Sequence, residues 1–291
     1  MKVHLIDATY ELFRQHFGRA ARQPDGGPYA AAVGVLSSTL DLLAAGATHL
    51  GAASDHVIES FRNDLWPGYK TSAGMPPELL AQTPIIEEAL EAMGVTTWAM
   101  VEYEADDALG AAAAIAAGDP RVEQVLIVTP DKDLGQCVRD RRVVLFDRRK
   151  REIIDEEAVV AKFGVRPASI PDYLGLVGDS ADGFPGLPGW GAKSAAAVLA
   201  RYGHLEDIPA SAREWDVPGL RGGATLATTL RNEFELALLF RRIATVEQGV
   251  DVGTVDEWEW NGPTPEFDRW TAELDAPELA ERAAKLAASR H

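Results

Sequence analysis

At 291 residues, with 46% hydrophobic and 25% charged side chains, the chain has the make-up of a globular protein able to bury one large core or two modest ones. Its single cysteine, Cys137, excludes an internal disulfide and a cysteine-rich zinc site, and no apolar run reaches the roughly 20 residues of a membrane-spanning helix. A formal net charge of −17 argues against nucleic-acid binding until its distribution is taken into account.

Residues 246–281 hold eleven acids against one base, Arg269, a local balance of −10. Residues 139–151 hold seven bases (Arg139, Arg141, Arg142, Arg148, Arg149, Lys150, Arg151) against Asp140 and Asp147, a balance of +5. A basic run is usually a solvated hairpin, and as a DNA contact it carries modest weight. Met1-Lys-Val-His-Leu-Ile-Asp7 runs straight into strand-like sequence with no signal peptide, so a soluble, cytoplasmic protein without membrane contact is expected.

In chain order, Lys2–Ile6 reads as a buried strand and Ala8–Phe17 as the helix after it. Gln23–Gly27 is a turn cluster, followed by a helix over Tyr29–Ala44 and a second strand over His49–Ser54. Residues 56–82, with their glycines and prolines and no clear period, read as an exposed loop. A helix over Pro77–Met93 and strands at Val95–Met100 and Gln124–Thr129 follow, flanking the helix Glu104–Ala117. Arg142–Phe146 and Glu152–Ile154 form a hairpin around the basic run. The alternation predicts an α/β fold with a mostly parallel sheet and helices on both faces. From about 155–165 onward the pattern is helical: Ser169–Leu176, a helix ending at Arg201, a loop over Ile208–Gly223, and Thr225–Ala244. The expected divisions are 1–160, 161–245 and an acidic 246–291, whose Trp258, Trp260 and Trp270 are expected to pack on the body.

The chemistry lies in the acids. Glu104, Asp106 and Asp107 share one helical turn, where like charges raise one another's pKa unless a cation neutralises them. Their hard oxygens suit Mg²⁺ or Mn²⁺. A helix start attracts acids through its dipole anyway, but that does not explain why Asp7, Asp55 and Asp131 each end an apolar, strand-like run. In an open α/β sheet the carboxyl ends of the strands form the ligand crevice. Asp133, Asp179 and Asp182 follow in Asp131-Lys-Asp133 and Gly178-Asp-Ser-Ala-Asp182. Next to them, Gly186-Leu-Pro-Gly189-Trp-Gly191-Ala-Lys193 reads as a glycine turn before a helix, which lets backbone N–H groups approach a phosphate. Lys193 adds a point charge without reading sequence. Lys70 beside Tyr69 is suited to meet a phosphate and stack a base.

Together these stretches resemble the 5′ nuclease family, meaning the 5′–3′ exonuclease domains of bacterial DNA polymerase I and the flap endonucleases. The resemblance rests on Leu5-Ile-Asp7, Asp55 followed by Phe61-Arg62 and Gly68-Tyr-Lys70, Tyr103-Glu-Ala-Asp-Asp107, Thr129-Pro-Asp-Lys-Asp-Leu134 and Gly178–Lys193, and it covers Asp7 to about Ala244. It implies a PIN-like nuclease core with a helix–hairpin–helix element in a helix–three-turn–helix region. It also implies two Mg²⁺ ions, replaceable by Mn²⁺: Asp7, Asp55, Glu104 and Asp106 for the first, Asp131, Asp133 and Asp182 for the second, with Asp107 and Asp179 nearby. Gly186, Gly189, Gly191 and Lys193 would grip duplex backbone around a K⁺ ion.

The implied reaction is hydrolysis of one phosphodiester clamped by two ions, with Lys70 and Arg62 neutralising the transition state. Expected partners are DNA with 5′ flaps, nicks, branches or 5′ ends, acted on by a monomer. With no polymerase following, a stand-alone bacterial enzyme of replication or repair is expected. Where many relatives carry an arginine shortly after the Tyr-Lys pair, this chain has Thr71-Ser-Ala-Gly74. Two alternatives stand beside this reading. One is a haloacid-dehalogenase-like phosphatase, which usually has an acid where this chain has Thr9; the other is a catalytically inactive DNA-binding paralogue. His4, His49 and Cys137 are expected to be structural.

Overall fold

A computed structural model describes residues 1–18 and 27–290, so the Gln23–Gly27 turn lies, apart from Gly27, outside the described residues. In chain order the elements are β1 (Lys2–Asp7), α1 (Ala8–Gly18), α2 (Ala30–Ala44), β2 (His49–Asp55), α3 (Phe61–Leu65), α4 (Pro77–Leu80), α5 (Thr83–Ala92), β3 (Thr96–Met100), α6 (Ala105–Gly118) and β4 (Gln124–Val128). Then come β5 (Val143–Asp147), β6 (Glu152–Ile154), α7 (Glu156–Phe163), α8 (Ile170–Val177), α9 (Ala192–Tyr202), α10 (Gly223–Asn232), α11 (Phe234–Ala244), α12 (Glu266–Glu273) and α13 (Glu278–Ala288).

These elements form two compact units. The first comprises Met1–Ile58, Ser72–Thr129 and Glu247–His291; the second comprises Glu59–Thr71 and Pro130–Val246. The partition differs from 1–160, 161–245 and 246–291: the acidic C-terminal segment returns to the first unit, and β5, β6 and residues 59–71 belong to the second.

In the first unit the strands run parallel in the order β3-β2-β1-β4. Every residue of β2 from His49 to Ser54 is buried, as parallel strands covered on both faces require. The register pairs Asp7 with Ala53 and Asp55 with Met100, so both aspartates emerge at the carboxyl ends of adjacent strands. The acidic segment is not a free tail. Trp258 meets Trp98 edge-on at 5.5 Å, and Trp260 donates from Nε1 to the Met93 carbonyl at 2.8 Å. The buried rings fix the segment while its carboxylates face outward, which reconciles its charge with its packing.

In the second unit α8, α9 and α11 bury Leu174, Leu176, Val198, Leu199, Phe240 and Ile243, and β5 and β6 pair antiparallel. Two helices expected as continuous are broken. Thr225–Ala244 divides at Glu233, which caps both α10 and α11. Pro77–Met93 divides into α4 and α5, with Pro84 in the first turn of α5, where its missing N–H and fixed φ suit a helix start and bar a helix interior. Residues 56–82 are not one exposed loop either. They contain α3, started by a capping box in which Ser60 Oγ accepts the Arg62 N–H at 3.3 Å and the Ser60 N–H donates to Asn63 Oδ1 at 2.8 Å.

Candidate metal centre

The acids of the first unit are held by the backbone. Asp7, 6% exposed, accepts the Tyr10 N–H on Oδ1 at 2.8 Å and the Thr129 hydroxyl on Oδ2 at 3.0 Å. The Asp55 N–H donates to Thr9 Oγ1 at 2.8 Å, and Asp55 Oδ1 accepts the Ala105 N–H at 2.7 Å. That second bond ties the end of β2 to the start of α6, where Glu104 is buried at the N-cap and Asp106 sits half-buried in the first turn. The positive end of the helix offsets part of this negative charge. Asp107, fully buried, accepts the Glu104 N–H on Oδ2 at 2.9 Å and the Glu247 N–H on Oδ1 at 2.8 Å. Each Asp107 oxygen thus accepts a main-chain amide, and the residue staples the start of α6 to the returning chain. Thr9, which stood where a phosphatase usually has an acid, is a structural acceptor.

The second unit holds the tightest acid cluster. Among the described residues, Asp133, Asp179 and Asp182 are the one set whose ligand atoms all lie within 4.8 Å of one another. Asp131 is exposed and serves the turn, accepting the Asp133 N–H on Oδ1 at 2.9 Å; Asp179 stands in the cluster in its place. Lys132, which the sequence reading passed over, ion-pairs with Asp179 and lies 3.3 Å from Asp133 Oδ1. That approach lacks hydrogen-bond geometry, and the buried Asp133 Oδ1 has no hydrogen bond.

Burial, and next the charge of Asp131, push the Asp133 carboxyl well above the usual carboxylate range; Asp182 and Asp179 add to the effect and Lys132 opposes it. Burial of the Lys132 ammonium works against its charge, but Asp133, Asp179 and Asp131 outweigh that and push its pKa up. Buried hard oxygens, one with an unused acceptor, amid mutual repulsion are a donor set that fits a divalent cation. The signal for Lys132 was in the sequence, as a lone base between two acids.

The loop presenting Asp179 and Asp182 is closed by reciprocal main-chain bonds between Asp179 and Phe184 at 2.8 and 3.0 Å. At its neck Gly178 and Gly186 both have positive φ, and a Cβ on Gly186 would lie 2.3 Å from the Gly178 nitrogen, so only glycine fits. Gly186 is buried there, which corrects its reading as a phosphate contact. Residues 66–70 lie against the same loop: Trp66 Nε1 donates to the Gly183 carbonyl at 3.1 Å and the Lys70 N–H to the Asp182 carbonyl at 2.9 Å. This brings Lys70 Nζ to 3.2 Å from Asp182 Oδ1.

Two neighbours of Lys70 are corrected. Tyr69 is 4% exposed, so its ring is not offered to a base. Arg62 is 3% exposed and donates from Nε and Nη2 to the carbonyls of Ile243 and Thr245 at 2.7 and 3.1 Å. It caps the end of α11 and is not a charge aimed at substrate.

Gly189, Gly191 and Lys193 are exposed around the start of α9. They line a cavity of about 670 Å³ together with Ser194 and Arg221, and no acid lines it. Arg221, from the loop before α10, is a cation that the sequence reading did not single out.

The comparisons agree with this architecture. A family model for the 5′-3′ exonuclease N-terminal resolvase-like domain matches residues 2–164, and one for the 5′-3′ exonuclease C-terminal SAM fold matches residues 165–266. The chain is 33% identical over 259 residues to DNA polymerase I of Bacillus caldotenax, covering 86% of this chain and 28% of that protein. It is 32% identical over 209 residues to a 5′-3′ exonuclease of Aquifex aeolicus, covering 71% of each. The chain thus spans about a quarter of the length of the DNA polymerase I relatives it matches. Among solved structures, a T5 5′-exonuclease with divalent zinc ions bound superposes with a TM-score of 0.67 at 16% identity, over 98% of both chains. The catalytic core of Rad2 in complex with DNA substrate superposes with a TM-score of 0.62 at 15% identity, over 98% of this chain and 92% of that one. These two likenesses speak for the fold. With both family models matched across residues 2–266, the chain belongs to the 5′-3′ exonuclease family.

Proposed function

We propose that the protein is a divalent-metal-dependent 5′ nuclease that hydrolyses DNA phosphodiester bonds, as a 5′–3′ exonuclease and flap endonuclease. The observation that carries this reading is the Asp133, Asp179 and Asp182 cluster with Lys70 at its side, in a chain of this family.

Asp133, Asp179 and Asp182, with Asp131 beside them, would hold one Mg²⁺ or Mn²⁺. Asp7, Asp55, Glu104 and Asp106 in the first unit would hold another. When bound, such ions activate water and offset charge on the phosphate. The protein's own groups then have distinct tasks. The carboxylates fix where cations sit, Lys70 offsets negative charge developing on a phosphate, and Lys132 keeps the cluster neutralised until a cation takes over. Lys193 and the amides around Gly189 and Gly191 would bind duplex phosphate, with K⁺ a further ligand of that turn. DNA with 5′ flaps, nicks or free 5′ ends is the proposed substrate, for a cytoplasmic, monomeric enzyme.

The test is cleavage of a 5′-labelled flap duplex with Mg²⁺ and with EDTA. Metal-dependent cutting near the junction supports the reading. Folded protein that cuts neither with Mg²⁺ nor with Mn²⁺ overturns it.

A further inference from the structure

The hairpin of β5 and β6 ends in four successive basic residues, Arg148, Arg149, Lys150 and Arg151, in a chain of net charge −17. Arg149, Lys150 and Arg151 are exposed, and none of the three pairs with a carboxylate among the described residues. The turn that carries them is built from within. Asp147, 3% exposed, accepts the main-chain N–H of Arg149 at 2.9 Å and of Lys150 at 3.1 Å on one oxygen. Arg151 adopts φ 56°, a left-handed conformation natural to glycine or asparagine and disfavoured for a long side chain. An arginine in a strained position, beside Arg149 and Lys150 that like it pair with no carboxylate among the described residues, is a local conflict expected where a ligand supplies the missing charge.

At the other end of β5, Arg139 is likewise exposed and without a carboxylate partner, with Arg141 and Arg142 beside it. Five strand residues separate the two basic groups, a span of about 17 Å. Duplex DNA offers one phosphate charge per roughly 1.7 Å of axis, so this spacing matches about five base pairs of backbone. The four tip residues include no apolar or aromatic side chain, which a protein interface core or a single-strand stacking platform would need.

We infer that the β5–β6 hairpin is a second nucleic-acid contact, separate from the glycine turn before α9, which holds the sugar–phosphate backbone of a duplex without reading its sequence. The inference rests on the reading of this chain as an enzyme that acts on DNA. It adds a surface that extends the footprint along a double-stranded arm.

The test is binding of the full chain to a fluorescent blunt duplex in EDTA, followed across 50–200 mM salt, for wild type and for the triple variant Arg149→Gln, Lys150→Gln, Arg151→Gln. Each lost phosphate contact should flatten the slope of log K against log[salt] by about 1, so a change of about 3 is expected, with a smaller loss on a single strand of equal length. The second variant, Arg151→Gly, relieves the backbone and cannot fail by misfolding of the turn; it should flatten the slope by about 1. Unchanged slopes in both variants, or an equal loss on single strand and duplex, overturn the inference. Flap cleavage by the wild type, run in parallel, separates the two readings: cleavage with unchanged slopes sinks the hairpin contact and leaves the nuclease. Variant-dependent slopes without cleavage do the reverse.

Discussion

The acids of the first unit and those of the second are neutralised in different ways. Asp7, Asp55 and Asp107 accept hydrogen bonds from main-chain amides and a threonine hydroxyl, neutral dipoles that the fold holds in place. Asp133, Asp179 and Asp182 face the ammonium groups of Lys132 and Lys70, full charges at the ends of flexible stems. Backbone donors cannot leave without unfolding something. A lysine can swing away when a cation arrives, at the loss of little beyond a partly screened ion pair. The first set is therefore preorganised, and the second is exchangeable.

The largest effect should come from the lysine assigned to substrate charge. Lys70→Ala is expected to lower single-turnover cleavage of a 5′ flap by about 10²–10³-fold, the usual loss when one electrostatic contact to a transition state is removed. Substrate affinity should change much less. A rate within threefold of wild type would reduce Lys70 to a partner of Asp182 and erase half of the contrast between the units.

Asp107→Ala breaks the comparison from the other side. Losing a helix cap and a charge-assisted hydrogen bond to the Glu247 amide should destabilise the protein by about 2–4 kcal/mol, read from the urea midpoint at constant m. Asp107→Asn, which keeps an acceptor, should lose about half of that. A loss below about 0.5 kcal/mol for the alanine variant would show that the buried carboxylate is not a staple.

How far all this was legible follows from what each residue's neighbours in sequence can reveal. Asp7 and Asp55 were readable because an aspartate ending an apolar strand has one destination in a parallel sheet, and the strands fell where the apolar runs stood. Lys70 was readable from its Tyr-Lys motif. The same motif misled at Tyr69, and the Phe61-Arg62 stretch misled at Arg62, because burial is set by segments over a hundred residues away: the carbonyls that Arg62 satisfies belong to Ile243 and Thr245. Gly186 was read as a phosphate contact because glycine spacing looks alike whether the missing Cβ makes room for a ligand or for another backbone. Here it makes room for Gly178. That Asp107 also ties down two main-chain amides was not legible, because periodicity shows charge but not which amides reach it. The acidic segment's attachment was foreshadowed only by its tryptophans.

Exchangeability makes its own prediction. Lys132→Gln leaves Asp133, Asp179 and Asp182 to repel one another with Lys70, beside Asp182, as the remaining counter-charge. In EDTA the variant should be less stable by about 1 kcal/mol, a modest figure because Lys132 is partly in water. Saturating Mg²⁺ should then stabilise the variant more than the wild type, on a scale of about 2.7 kcal/mol at a hundredfold excess over Kd. Equal metal-induced shifts in Tm for the two proteins would mean that Lys132 does not compete for the cation position.

The smallest expected effect belongs to the first unit, where the strap that carries the C-terminal acids meets β2. His49, 7% exposed, forms a main-chain bridge with Glu259, and the next residue, Trp260, donates its N–H to the Thr48 carbonyl at 2.8 Å. Burial pushes the imidazole below its ordinary value, against the opposing pull of Glu259 and Asp256, while the N-terminal amine and Arg121 push the same way as burial. A histidine whose folded pKa lies below its unfolded one takes up its proton more readily in the unfolded chain. Its contribution to stability is therefore complete above about pH 6.5 and is lost as pH falls through the folded value. Comparing wild type with His49→Gln between pH 7.5 and 5.5 cancels the carboxylates common to both. The wild type should lose more stability on acidification, by less than about 1 kcal/mol. A wild type that loses less than the variant would mean that Glu259 and Asp256 outweigh burial and that the strap tightens with acid. In that case the first unit, like the second, would use a movable charge where it otherwise relies on fixed dipoles.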